Sequence, residues 1–93
     1  MGCGRVGSTL AQSLEQQGHD VAVIDRDRTA FRRLGPDFEG RRITGVGFDR
    51  DTLVKAGIEH AYAFAAVSSG DNSNILAARV ARETYGVANV VAR

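Results

Sequence analysis

Three glycines at the start of the chain, Gly2, Gly4 and Gly7, follow the pattern G-x-G-x-x-G and lead into a helix-like segment, residues 8–17, closed by Gly18. Each glycine answers a backbone demand. The first permits a tight bend, the second lets a pyrophosphate approach where a Cβ would stand, and the third lets helix and strand pack closely. Gly2, Gly4, Arg5, Val6 and Gly7 therefore form a candidate phosphate cradle. Alone the motif is a weak signal, and its weight depends on the residues downstream of it.

The order of elements after the turn is regular. Residues 5–17 read as an amphipathic helix with Val6, Leu10, Ala11 and Leu14 on one face. Residues 20–25 are a short apolar run bounded by acids, as expected of a parallel strand buried on both faces. Asp27 or Thr29 caps a short helix to Leu34, which breaks at Gly35-Pro36. Residues 41–44 read as a short edge strand, followed by a Gly45-Val46-Gly47 loop. Asp49 or Asp51 caps a helix that stops at Gly57. The most apolar stretch, residues 61–67, reads as a central strand in which Tyr62 packs. The Ser68-Ser69-Gly70 loop then leads to Asp71 as N-cap of a helix over residues 72–85, and residues 89–92 form a final strand.

Alternating helix and strand argue for an α/β domain with a parallel sheet and right-handed crossovers. A dinucleotide-type unit also carries a central strand directly before the glycine turn. Here Met1 precedes it, so that strand is expected to be absent or represented by a single residue.

Composition narrows the function. Ninety-three residues suit one small domain, and a net charge of +1 makes no large field, so neither nucleic acid nor an anionic membrane surface is suggested as a partner. No apolar run is long enough for direct membrane insertion. A single cysteine, Cys3, excludes an internal disulfide and a multi-cysteine metal site.

Asp25 strengthens the glycine turn. It ends the next strand, 18 residues after Gly7, near where a dinucleotide fold places the carboxylate that binds adenosine ribose hydroxyls. A carboxylate there repels a 2′-phosphate and favours NAD, ADP or ATP over NADP, although Arg26 and Arg28 offer phosphate partners that weaken the exclusion. Arg5 stands at a helix N-terminus, where free N–H groups favour anions. It is either a phosphate ligand or a solvated side chain. The hydroxyls of Ser68 and Ser69 either reach a ribose or phosphate or belong to an ordinary polar loop. Cys3 reads as a small spacer rather than a reactive thiol. His19 and His60 stand alone near element ends and read as surface or capping residues. No Tyr-x-x-x-Lys pair, nucleophile with a base or paired carboxylates form a recognisable catalytic site.

Taken together, Gly4-Arg5-Val6-Gly7, Gly18-His19-Asp20-Val21, Val23-Ile24-Asp25-Arg26-Asp27, Ala56-Gly57-Ile58 and Val90-Val91-Ala92-Arg93 resemble the TrkA-N domain, also called the RCK N-terminal or KTN domain. The resemblance covers residues 1–93. It implies a partial Rossmann-like, doubly wound, three-layer domain lacking the first strand and the family's last strands. It also implies a non-enzymatic regulator in which NAD(H), ATP or ADP acts as a ligand rather than a reactant. By the same resemblance Arg5 reaches a terminal phosphate, Asp25 holds the ribose, Gly45 and Val46 border the adenine, and Ser68 lies near the phosphates. The implied partner is a membrane potassium transporter subunit of a Trk/Ktr-type uptake system. The domain would serve it as a homodimer or larger ring at the cytoplasmic face of the membrane. Two residues depart from the family pattern: Val46 stands where an aspartate is common, and Ser68 where a threonine is. The cofactor lobe of an NAD-dependent oxidoreductase shares every glycine and is the alternative reading.

Overall fold

Val23 and Ile24 are adjacent in sequence and point to opposite faces of one strand, and both are buried. A strand buried on both sides needs a layer on each, and the computed structural model, which describes all 93 residues, supplies them. Helix α1 (Arg5–Gln16) leads to β1 (Ala22–Asp25), a 3₁₀ segment (Arg28–Leu34) and β2 (Arg41–Thr44). After these come α2 (Arg50–Lys55), a short 3₁₀ turn (Ile58–His60) and β3 (Ala63–Ala66). Helix α3 (Asp71–Arg79) continues as a π-helical turn (Val80–Thr84) before β4 (Asn89–Ala92).

The strands form two parallel pairs. β1 lies beside β2 with Ile24 opposite Ile43, and β3 lies beside β4 with Phe64 opposite Val90. Met1 and Gly2 join the pairs at their C-terminal ends. The Met1 amine donates to the Ala65 carbonyl at 2.7 Å. Val67 N–H donates to the Met1 carbonyl at 2.8 Å, and Gly2 N–H donates to the Ile24 carbonyl at 2.7 Å. These bonds put Met1 and Gly2 in the place of the central strand. Below them β1 and β3 are separated by an apolar cleft of about 830 Å³, flanked by Leu10 and Leu14 of α1 and by Leu53 of α2.

Two cores sandwich the sheet. On the α1 side Cys3, Ala11 and Val23 pack with Phe31, Leu34 and Phe38. On the other side Ile24, Leu53 and Phe64 pack with Ala77, Ala81 and Val87. The result is a three-layer, Rossmann-like α/β fold with parallel strands.

Several expectations change. Strands β1 and β3 are shorter than their apolar runs, beginning at Ala22 and Ala63. Tyr62 precedes β3 and is 82% exposed rather than packed. Val6 and Leu10 lie on the expected apolar face of α1 but remain 46% and 36% exposed, while the smaller Gly7, Ser8 and Ala11 are buried. The flank of α1 bearing Leu10 faces the apolar cleft instead of a strand. Asp49 caps α2, accepting from Thr52 N–H. Asp71 is the first residue of α3 rather than its cap; Gly70 takes that position with no side-chain bond. The loop ahead of α3 is instead held by Asn74.

Candidate functional site

Parallel strands end on one edge of the sheet, so the loops after them gather there. Along this edge the order is the β2 loop, the end of β1, the glycine turn, the β3 loop and the end of β4, as the strand pairings and the Met1–Gly2 bridge require. A cleft of about 600 Å³ runs beneath them.

The glycine turn is tightly packed at two of its three positions. Gly2 has φ of +101°, and a Cβ there would stand 2.6 Å from Ser68 N, so the turn presses against the β3 loop. A Cβ on Gly7 would overlap the Gly2 carbonyl, which locks the turn onto α1. Gly4 differs. Nothing lies within 4 Å of where its Cβ would be, and Gly4 lines the cleft. Gly4 is also the N-cap of α1, with no side-chain cap and no acid in the first turn. The helix therefore offers bare N–H groups and the positive end of its dipole to the cleft.

Asp25 faces this turn from the end of β1. Its Oδ2 accepts the Cys3 N–H at 2.8 Å and its Oδ1 the Asp27 N–H at 2.9 Å. A carboxylate has lone pairs beyond these two, so Asp25 retains capacity to accept hydroxyl groups. Cys3 is fully buried with its thiol 3.4 Å from the Ala30 carbonyl. Burial, followed by the negative Asp25, pushes its pKa up. A neutral buried thiol is a spacer, not a nucleophile. Burial likewise lowers the Met1 amine to about 6.

Ser68 lines the cleft, but its hydroxyl is already engaged: Oγ donates to Asn74 Oδ1 at 2.6 Å and accepts from Gly70 N–H at 3.3 Å. Asn74, fully buried, also accepts Ser68 N–H at 3.0 Å and donates to the Ser68 carbonyl at 2.9 Å. This clamp shapes the rim, and Ser69 lines it beside Ser68. Gly45 and Val46 border the β2 end, where a Cβ on Gly45 would stand 2.5 Å from the Thr52 hydroxyl.

The structure thus brings Gly2, Gly4, Arg5, Val6, Asp25, Arg26, Gly45, Val46 and Ser68 to one cleft. Gly7 sits behind the turn and Arg28 lies outside the lining. Sequence reasoning missed Arg33, Phe48, Arg93 and the Asn74 clamp. Asn74 left a signal, a polar residue three and four positions before the buried Ala77 and Ala78. Arg33 left none, because only the 3₁₀ segment's packing turns it toward the turn. Arg5, Arg26, Arg33 and Arg93 all line the cleft, and none is within ion-pair distance of an acid.

Fold and site together define a parallel α/β domain with a glycine turn and an uncapped helix N-terminus at its C-terminal edge. The chain belongs to the TrkA-N domain family, whose model matches residues 1–93. It is 78% identical over its whole length to the Trk system potassium uptake protein TrkA of Streptomyces coelicolor, of which it spans 42%. Over 82 residues, 88% of the chain, it is 42% identical to a Trk system potassium uptake protein TrkA homolog of Pyrococcus horikoshii, and this match covers 36% of that protein. It is also 32% identical over all 93 residues to the Trk system potassium uptake protein TrkA of Vibrio alginolyticus, spanning 20% of it. The chain therefore spans less than half the length of these relatives.

Proposed function

We propose that the chain is a nucleotide-sensing regulatory domain of a Trk-type potassium uptake system, binding NAD(H), ATP or ADP as a ligand and not as a reactant. The observation that carries this reading is the uncapped N-terminus of α1 at Gly4, with open space where a Cβ would be and unpaired arginines around it. Helix N–H groups and guanidinium groups are donors suited to phosphate oxygens. Asp25, across the same cleft, offers an acceptor suited to ribose hydroxyls. In this reading Gly4, Val6 and Arg5 hold phosphates and Asp25 the ribose.

The names of the relatives supply the physiological setting. The domain acts at the cytoplasmic face on a membrane potassium transporter subunit, as a homodimer or larger ring whose geometry depends on the bound nucleotide. A ligand shifts such an equilibrium only by its differential affinity for the two arrangements. No helix is long and apolar enough to cross a membrane, so in this reading the transporter partner provides the pore.

Calorimetric titration of NADH, NAD, ATP and ADP into the purified chain tests the reading. Binding below millimolar by at least one of them is expected, with Arg5→Ala weakening ATP more than adenosine. Absence of binding by all four ends the sensing proposal. Hydride transfer from bound NADH to a small carbonyl compound would instead support the oxidoreductase lobe.

A further inference from the structure

Asn74 is a polar residue of α3 with no exposed surface. Burying an amide costs free energy unless its atoms are hydrogen-bonded, and every side-chain bond of Asn74 goes to one residue, Ser68. Its Oδ1 accepts the Ser68 N–H at 3.0 Å and the Ser68 hydroxyl at 2.6 Å, and its Nδ2 donates to the Ser68 carbonyl at 2.9 Å. An apolar side chain would fill the same space without these demands. What the amide adds is a fixed position for the Ser68 main chain.

Ser68 is in turn what the glycine turn leans on. A Cβ on Gly2 would stand 2.6 Å from Ser68 N, 2.7 Å from Ser68 Cα and 2.9 Å from the Val67 carbonyl carbon, so the two main chains touch with no side chain between them. On the β1 side the turn is held by the Ile24 carbonyl and the Asp25 carboxylate. On the β3 side its backing is Val67 and Ser68, and α3 holds Ser68 in place through Asn74. Gly4, two residues after Gly2, is the N-cap of α1. The aim of the first N–H groups of α1 is thus set from both strands.

We infer that Asn74 is a positioning residue for the phosphate end of the cleft, acting through the Ser68 main chain on Gly2, a reading that rests on the nucleotide site proposed above. Asn74 itself is fully buried and lies outside the cleft lining, so it touches no ligand. Without its amide the Ser68 main chain no longer backs Gly2. The N–H groups at the start of α1 then lose the alignment that several simultaneous bonds to phosphate oxygens require. The ribose side, braced by β1, keeps its own support. The effect is therefore selective: affinity for phosphates falls, and affinity for the unphosphorylated nucleoside does not.

The test titrates ADP and adenosine, followed by NMR, into the parent chain, into Asn74→Ala and into Asn74→Leu, which keeps the buried volume. Each variant is expected to raise the Kd for ADP roughly tenfold and to leave that for adenosine within about twofold. Equal weakening of the two ligands, or an unchanged ADP affinity, in a folded variant overturns the assignment while the nucleotide site stands. Should neither variant fold, hydrogen exchange at Ser68 N–H and Asn74 Nδ2 of the parent chain decides. If phosphate binding requires the clamp to be closed, ADP at about ten times its Kd slows this exchange about tenfold, and adenosine at equal saturation leaves it within about twofold. Slowing by both ligands, or by neither, overturns the assignment. Failure of the parent chain to bind ADP, the moiety common to all four nucleotides, removes the phosphate site itself, and the assignment with it.

Discussion

The main-chain N–H of Cys3 donates to Oδ2 of Asp25 at 2.8 Å, tying the glycine turn to the end of β1 across 22 residues of sequence. The acid that sequence reasoning assigns to a ribose thus also braces the turn that would hold the phosphates. In the proposed reading, ribose and phosphate recognition would be connected through this one carboxylate.

Removing that carboxylate therefore has a structural cost apart from any ligand. Asp25→Ala leaves the buried Cys3 N–H without its partner, which costs about 1–3 kcal/mol. Asp25→Asn keeps one acceptor oxygen and loses less. Urea denaturation of the ligand-free chain measures both, and an unchanged midpoint for Asp25→Ala would show that the brace is dispensable.

Gly4→Ala and Gly7→Ala separate binding from folding. A Cβ on Gly7 meets the Gly2 carbonyl, so the substitution forces the turn off the helix and destabilises by about 1–3 kcal/mol. A Cβ on Gly4 meets no protein atom within 4 Å, at a residue that lines the cleft. Thermal melts of Gly4→Ala should show no more than the modest cost of alanine at an N-cap while nucleotide affinity falls; a loss of melting temperature as large as that of Gly7→Ala would contradict the open geometry at Gly4.

The Ser68–Asn74 clamp predicts an asymmetry. Asn74→Ala strands the Ser68 N–H and carbonyl and empties a fully buried site, costing about 2 kcal/mol or more. Ser68→Ala removes only the hydroxyl and leaves both main-chain bonds to Asn74, so its loss is about 1 kcal/mol or less. Chemical denaturation of the two variants should rank them in that order.

Asp27 sets an acid limit on the 3₁₀ segment. Its carboxylate accepts from the Thr29 hydroxyl at 2.7 Å and from Thr29 N–H at 2.9 Å, and these bonds, the hydroxyl first, hold its pKa below the usual carboxylate range. A lowered folded-state pKa means stability that is present above the unfolded pKa and lost as pH falls through the folded one. Carboxyl NMR titration should place Asp27 below an unperturbed aspartate, and Thr29→Ala should raise it. A titration unaltered by Thr29→Ala would remove the hydroxyl from the account.

Much of the site is legible in the chain because it depends on local backbone chemistry. Glycines at positions 2, 4 and 7 are required wherever a turn must pass close to a neighbour, and Asp25 ends a short apolar run at the same edge. β2 and β4 occupy the expected residues, 41–44 and 89–92. Arg33 and Phe48 are not legible, since each reaches the cleft through contacts of its neighbours: packing of Phe31 and Leu34 for the first, the approach of Gly47 to Met1 for the second. Tyr62 misleads because an apolar run does not state where hydrogen-bonded pairing begins.

Periodicity, glycine spacing and strand ends are properties of neighbouring residues, so the α/β alternation, the phosphate-type turn and the acid facing it are already written in the order of the amino acids. Three further features arise only on folding: Met1 and Gly2 join the two strand pairs, Asp25 is shared between turn and cleft, and Asn74 holds the Ser68 loop. Each depends on hydrogen bonds between residues 6 to 64 positions apart, and only the folded chain brings such partners together.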